Sequence, residues 1–233
     1  MAETAPHSQT LDRGIRVLEL LAEADGPLSI AELSGALDVH RSIAYRILRT
    51  LEDHGLVTRD AAGRVALGSR LAALARSVAR DLQSAALPEL TAVANELGMT
   101  AFLVVLDRRE CVTLLSVEPR HAVAAVAQRP GTRHPLNSGA PGVAIQSSLS
   151  DADWAALAPG VRPRPEASAA RAAGFATSHD EVIPGLSAVA VPLRIAGQAP
   201  AALAVVYVAT GRPVEELAAR LAEAAASVAG ELQ

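Results

Sequence analysis

The sequence predicts an α+β protein in which a small helical part with one β-hairpin precedes a larger domain of strands and helices. Two observations support this fold class. Apolar residues recur with helical spacing as far as Gly55, and from Thr100 onward the pattern changes to short strands separated by turns. A chain of 233 residues is long enough to bury a core in each of two domains.

Three short helices are expected in the first part. Gly26 and Pro27 end the first helix, because Gly suits a helix C-terminus and Pro blocks its continuation. Ser29 and Glu32 have the spacing of a capping box, which opens the second helix. The third helix is predicted over His40–His54.

A β-hairpin is predicted directly after these helices. Leu56–Arg59 and Arg64–Leu67 are two extended segments joined by a four-residue turn that ends in Gly63. Three helices and a hairpin in this order, within residues 9–70, are typical of a winged helix-turn-helix domain.

A single linker helix over residues 71–86 is predicted to join the two domains, because apolar residues from Leu71 to Leu82 share one face. Pro88 is expected to begin a separate helix. The second domain covers residues 87–233, with a Gly/Pro-rich loop at 129–142. Its strands are expected at Ala101–Leu106, Cys111–Val117, Ala122–Gln128, Phe175–His179, Leu186–Leu193 and Ala199–Val208, and its last helix at Pro213–Leu232.

Composition and charge exclude several classes of function. With 21 basic residues, all of them arginine, and a net charge of −4, the chain does not coat nucleic acid or membranes by bulk charge. Its five aromatic residues are too few for stacking on single strands. The lone Cys111 excludes an internal disulfide and a multi-cysteine metal site, and no cofactor fingerprint occurs. No apolar run approaches the ~20 residues of a membrane helix and no secretory signal is seen, so we expect a cytoplasmic protein.

The third helix concentrates positive charge on one face. His40–Thr50 contains three Arg and no acidic residue, although residues 1–70 contain eight Arg against ten acidic residues. A buried stripe is predicted at Ala44, Ile47, Leu48 and Leu51. The opposite face carries the candidate DNA contacts Arg41, Ser42, Tyr45, Arg46 and Arg49, with Arg59 and Arg64 beside the hairpin tip. This pattern favours insertion of the helix into the major groove of duplex DNA.

Three groups of residues resemble the IclR (isocitrate lyase regulator) family of bacterial transcription regulators. The first lies at residues 13–21, 31–33 and 44–57, within the helices and at the start of the hairpin. The second is Pro135–Ala144, and the third is Gly174–Pro192. Asp38 stands where the family usually has Gly in the helix-turn-helix turn, and Asp tolerates the left-handed conformation that such a turn needs.

The resemblance implies a regulator that binds pseudo-palindromic operators as a homodimer or tetramer, with a GAF-like second domain that binds a small-molecule effector. From the residues themselves, the small loop at 138–142 opens a helix whose free amides suit a carboxylate. We therefore expect an organic acid. Ser178, Ala188 and Ala204 are small or apolar where several members of the family have polar or acidic residues, so the resemblance implies an acid that is larger than glyoxylate and partly apolar. Carried over by position, the family's effector site corresponds to His134, Gly139, Ala140, Pro141, Ser178, Leu186, Ala188 and Ala204.

Two alternatives remain open at this point. One is a winged-helix regulator of another family, such as the GntR type, against which the second and third motifs argue. The other is a small-molecule enzyme with a fused DNA-binding domain. No catalytic or metal-binding constellation occurs among the six histidines and their neighbours, so we expect a protein that is not an enzyme.

Overall fold

The computed structural model describes residues 8–120, 128–208 and 210–233. The chain divides into two compact units, Met1–Val78 and Ala79–Gln233, which are described separately. Within the described residues, no helix is long and apolar enough to cross a lipid bilayer.

The first unit begins with the three predicted helices, α1 (Gln9–Glu23), α2 (Ile30–Ala36) and α3 (Arg41–Asp53). The capping box is confirmed, because Glu32 N–H donates to Ser29 Oγ while the Glu32 carboxylate accepts from Ser29 N–H. Asp38 adopts the left-handed conformation, with φ of 51°, and so permits the turn between α2 and α3.

The predicted hairpin forms from β1 (Val57–Arg59) and β2 (Val65–Leu67), which pair antiparallel. Leu28, in the loop before α2, adds a bridge to Val65 through two backbone hydrogen bonds of 2.9 and 2.7 Å. The core of this unit lies between the helices and the hairpin and contains Val17, Leu21, Leu33, Leu37, Ile47, Leu48, Val57 and Val65.

The prediction of one linker helix over residues 71–86 is wrong. The chain forms α4 (Arg70–Ala75), then turns, and starts α5 (Arg80–Leu97) after Ala79, whose φ of 45° is left-handed. Pro88 lies inside α5 instead of beginning a helix. Buried residues on both sides of Pro88, such as Leu82 and Leu90, hold this helix against the second core and outweigh the hydrogen bond that Pro removes.

Within the described residues, six strands form the antiparallel sheet of the second unit in the order β5-β4-β3-β8-β7-β6. Five of them confirm predicted strands. The strand predicted at Ala122–Gln128 lies outside the described residues except for Gln128, and β5 falls in the segment predicted to be a loop. The strands are β3 (Thr100–Asp107), β4 (Glu110–Val117), β5 (Arg133–Pro135), β6 (Ala176–His179), β7 (Ser187–Leu193) and β8 (Ala201–Tyr207).

Helices cover both faces of this sheet. On one face, α5 and α9 (Val214–Glu231) bury an aliphatic core with Leu103, Val191 and Leu203. On the other face, α6 (Gly139–Ser148) packs on β6, β7 and β8, and every residue of α6 is buried. Two shorter helices, α7 (Asp151–Leu157) and α8 (Pro165–Ala173), complete this second layer. The N-terminus of α6 therefore lies in the interior of the second unit.

Candidate nucleic-acid interface and ligand cavity

The two faces of α3 differ in burial as predicted. Ala44 and Leu48 are fully buried, and Ile47 is nearly so. On the opposite face Arg41, Ser42 and Arg46 are exposed, together with Tyr45, which retains 50% of its surface. The unit thus presents guanidinium, hydroxyl and phenol groups on the N-terminal half of its third helix, where a helix in the major groove meets base edges.

His40 caps the N-terminus of α3. Its Nδ1 accepts the Ser42 N–H at 3.3 Å and lies 2.9 Å from Ser42 Oγ. The hydroxyl of Ser42 is thereby oriented before any ligand arrives, and it can still accept a second hydrogen bond.

Arg49 differs from Arg41 and Arg46 because it has an acidic partner on its own helix. Its Nε lies 3.2 Å from Asp53 Oδ1, and both side chains are more than half exposed. An exposed pair of this kind contributes little, so Arg49 is free to exchange Asp53 for a phosphate.

Arg59 and Arg64 tie the hairpin to the helices. The Nε of Arg59 donates to Glu52 Oε2 on α3 at 3.1 Å, and its guanidinium carbon lies 5.4 Å from the centre of the Tyr45 ring. The Nε of Arg64 donates to the Pro27 carbonyl at 2.8 Å, while half of its side chain remains exposed. Glu52 was not identified from the sequence, because its contact with Arg59 depends on how the hairpin folds back.

A small cavity of about 40 Å³ lies in the second unit, between the N-terminus of α6 and the sheet. Six of the eight effector residues named from the sequence line it, namely His134, Gly139, Pro141, Ser178, Leu186 and Ala188. Ala140 and Ala204 are fully buried beside it and are not part of its wall.

The first two backbone N–H groups of α6 already donate hydrogen bonds to side chains of the same unit. The Gly139 N–H donates to Glu181 Oε2 at 2.9 Å, and the Ala140 N–H donates to Ser178 Oγ at 2.9 Å. An acid that binds the Gly139 N–H must therefore replace the Glu181 carboxylate, and one that binds the Ala140 N–H must replace the Ser178 hydroxyl.

The Glu181 carboxylate is also paired with Arg164, which donates to both carboxylate oxygens and to Glu166 as well. Burial opposes ionisation of Glu181, but the Arg164 and Gly139 hydrogen bonds outweigh it and hold the pKa of Glu181 below its usual value. The same guanidinium lowers the pKa of Glu166 to about 2. Glu181 lines the cavity, and its ion pair with Arg164 helps to hold the carboxylate at the start of α6.

His134 supplies the cavity with an imidazole that is 7% exposed. Burial lowers the pKa of His134, and the carbonyls of Pro135 and Ser138 oppose this effect. Its Nδ1 lies 3.2 Å from the Pro135 carbonyl, which fits a neutral ring that donates from this nitrogen.

Several lining residues were not identified from the sequence. Phe102 and Val206 come from β3 and β8, and strand periodicity alone does not say which apolar face lies beside a cavity. Gln128 lines the cavity while its Nε2 donates to Thr113 Oγ1 at 2.9 Å. The mixture of one aromatic ring, aliphatic groups and these polar atoms suits a ligand with an apolar body and a polar group.

A wider, open depression of about 750 Å³ lies beside Ser148, Asp153 and Arg194, and none of the sequence-predicted residues lines it. Among residues 8–120, 128–208 and 210–233, no group of three or more His, Cys, Asp or Glu side chains is arranged to hold a metal ion. The small cavity at the N-terminus of α6 is the candidate ligand site, because six of the sequence-predicted residues line it.

Comparison with known proteins gives the family. Residues 10–61 match the IclR helix-turn-helix domain, and residues 75–232 match the bacterial transcriptional regulator IclR C-terminal domain. The probable transcriptional regulator SauR of Cupriavidus necator is 31% identical over 83% of this chain and 83% of its own length.

Two solved structures share the whole architecture. An IclR transcriptional regulator from Alicyclobacillus acidocaldarius is 28% identical, with a TM-score of 0.83 over 98% of this chain and 100% of its own. An IclR homologue from Microbacterium hydrocarbonoxydans, solved in complex with 4-hydroxybenzoate, is 26% identical, with a TM-score of 0.81 over 96% and 98% of the two chains. The chain belongs to the IclR family of bacterial transcriptional regulators.

Proposed function

We propose that this regulator binds duplex DNA through the exposed face of α3. The observation that carries this proposal is the set Arg41, Ser42, Tyr45 and Arg46, exposed together opposite a stripe of buried residues. Arginine pairs bidentately with guanine or with phosphate, and hydroxyl groups bind either. Arg49, and Arg64 at the hairpin, are proposed to contact the DNA backbone.

The second unit is proposed to bind a small organic acid that changes operator affinity. The cavity beside His134 and Ser178 supports this role, and the relative from Microbacterium hydrocarbonoxydans carries 4-hydroxybenzoate. A cavity of about 40 Å³ is small for 4-hydroxybenzoate, so binding of an acid of that size is proposed to displace the segment that carries Glu181 and Val182.

We further propose a cytoplasmic homodimer or tetramer that binds a pseudo-palindromic operator and has no enzymatic activity. A dimer with two-fold symmetry matches two half-sites that are spaced by about one helical turn of DNA.

Gel-shift measurements test DNA binding by α3. Arg46→Ala is expected to weaken binding to every duplex sequence and to lower the slope of log affinity against log salt by about one. Arg162→Ala, which removes the same charge from an exposed position of the second unit, is the matched control and should bind as the native protein does. Unchanged affinity in Arg46→Ala would refute the assignment of this face.

Melting temperatures test the ligand proposal. 4-Hydroxybenzoate and benzoate are expected to stabilise the protein more than glyoxylate does, because they fill the apolar part of the cavity. Stabilisation by glyoxylate alone would contradict the proposed ligand class.

A further inference from the structure

Arg59 lies between two side chains of α3. In β1, Val57 faces the core, and Arg59, two residues later, lies on the same side of the strand. Tyr45 and Glu52 are seven residues apart on α3, so they share a helix face. The guanidinium therefore meets both: its Nε is 3.1 Å from Glu52 Oε2, and its carbon is 5.4 Å from the centre of the Tyr45 ring.

Arg59 and Tyr45 differ in their exposure to solvent, which indicates different roles. The Arg59 side chain is 19% exposed, whereas Tyr45 is 50% exposed. In the described part of the chain, Nη2 of Arg59 is buried and has no hydrogen-bond partner. A guanidinium placed in this way is poorly available to a phosphate, while the ring that it covers on one side remains open to a ligand.

We propose that Arg59 is a positioning residue for DNA recognition, which holds the Tyr45 ring on α3 in its DNA-binding orientation without touching DNA. This inference rests on the proposed DNA contact of α3 and replaces the expectation that Arg59 contacts the DNA backbone. A cation over the face of an aromatic ring attracts it. A side chain already held in the free protein loses less conformational freedom when DNA binds.

A thermodynamic cycle tests the proposal. The full-length native chain, Arg59→Gln, Tyr45→Ala and the double variant are compared on one duplex, enriched from a randomised library by the native protein. Arg59→Gln is expected to weaken binding by about 3- to 10-fold when Tyr45 is present. In the Tyr45→Ala background, the same change is expected to alter affinity by less than about 2-fold, because the group that Arg59 holds is gone.

The salt dependence separates positioning from direct contact. A lost phosphate contact lowers the slope of log affinity against log salt by about one, so Arg59→Gln is expected to leave the slope unchanged. A lowered slope, an equal loss in both backgrounds, or native affinity in Arg59→Gln would each overturn the proposal.

Arg59→Lys is the control for a folding defect, because it keeps a cation near Glu52. It is expected to bind more tightly than Arg59→Gln when Tyr45 is present and equally when Tyr45 is replaced. Equal recovery in both backgrounds would contradict a role through Tyr45. Arg46→Ala is measured alongside: if it loses no affinity, the proposed function itself fails, whereas a loss in Arg46→Ala without one in Arg59→Gln overturns only this inference.

Discussion

The carboxylate of Glu181 accepts the Gly139 N–H at 2.9 Å, so a side chain 42 residues later in the sequence closes the N-terminus of α6. The position suits a negative charge, because the first amides of a helix are unpaired and its dipole is positive at this end. Arg164 holds the same carboxylate from the other side. This closure links the start of α6, the segment after β6 and the start of α8.

Removal of the carboxylate is expected to destabilise the second unit. Glu181→Ala leaves the Gly139 N–H without its acceptor and Arg164 with Glu166 as its carboxylate partner, at a cost of about 1–2 kcal/mol in the free energy of unfolding. Urea unfolding, followed by the fluorescence of Trp154, measures this cost. Glu166→Ala removes a more exposed carboxylate from the same Arg164 and should destabilise the protein less, because an exposed ion pair contributes little to stability. Equal costs in the two variants would show that the contact with Gly139 contributes nothing.

The same carboxylate makes stability depend on acid pH. The pKa of Glu181 is lower in the folded protein than in the unfolded chain, so the unfolded chain binds more protons as the solution is acidified. Its contribution is fully present above about pH 4.3 and is lost as the pH falls through the folded pKa. Glu181→Gln should therefore flatten the acid side of a curve of unfolding free energy against pH. An acid limb identical to that of the native protein would contradict the pairing with Arg164.

Protonation of His134 also lowers the stability of the folded protein as the pH falls, but in a higher pH range than that of Glu181. Because burial lowers the pKa of His134, its neutral form favours the folded state above the unfolded pKa of 6.5. This stability is lost as the pH falls from that value through the folded pKa. Between about pH 7.5 and pH 5.5 the melting temperature of His134→Gln should fall less than that of the native protein. Parallel curves would mean that His134 titrates as it does in the unfolded chain.

Substitution of Gly139 tests whether the ligand binds beside the start of α6, provided that the effect of backbone strain is measured separately. Its φ of 77° is left-handed, and an added Cβ would lie 2.8 Å from Val182 Cγ2. Gly174 has a similar φ of 82° with no atom within 4 Å of such a Cβ, so Gly174→Ala is the matched control. Each variant should cost about 1 kcal/mol through φ. Val182 is exposed at the cavity and can move, so Gly139→Ala alone should alter the stabilisation by benzoate. An equal response to benzoate in both variants would place the ligand elsewhere.

The sequence was informative where structure is local. The capping box at Ser29 and the left-handed Asp38 follow from spacing within a few residues, and both are confirmed. The stripe predicted on α3 is confirmed as buried at Ala44, Ile47 and Leu48, whereas Leu51 is only partly buried. The linker helix was wrong because helical periodicity continues through Val78, although the chain turns at Ala79.

The contacts that build the two sites are not local, and spacing does not reveal them. Glu181 reaches Gly139 only through the packing of β6 against α6, and Arg59 reaches Glu52 only when the hairpin folds onto α3. The short β5 was missed for the same reason: it becomes a strand by pairing with β4, within a segment rich in Gly and Pro. Residue types predicted which side chains can bind a ligand. Tertiary contacts determine which of those side chains are already paired within the protein.

Protection of guanine N7 from dimethyl sulfate tests whether α3 binds in the major groove of DNA, because this atom lies in that groove. The native protein should protect guanines in two half-sites about 10 base pairs apart, and Arg41→Ala with Arg46→Ala should abolish that protection. Arg162→Ala should leave the pattern unchanged. Full N7 protection by the doubly substituted protein would contradict DNA recognition by the exposed face of α3.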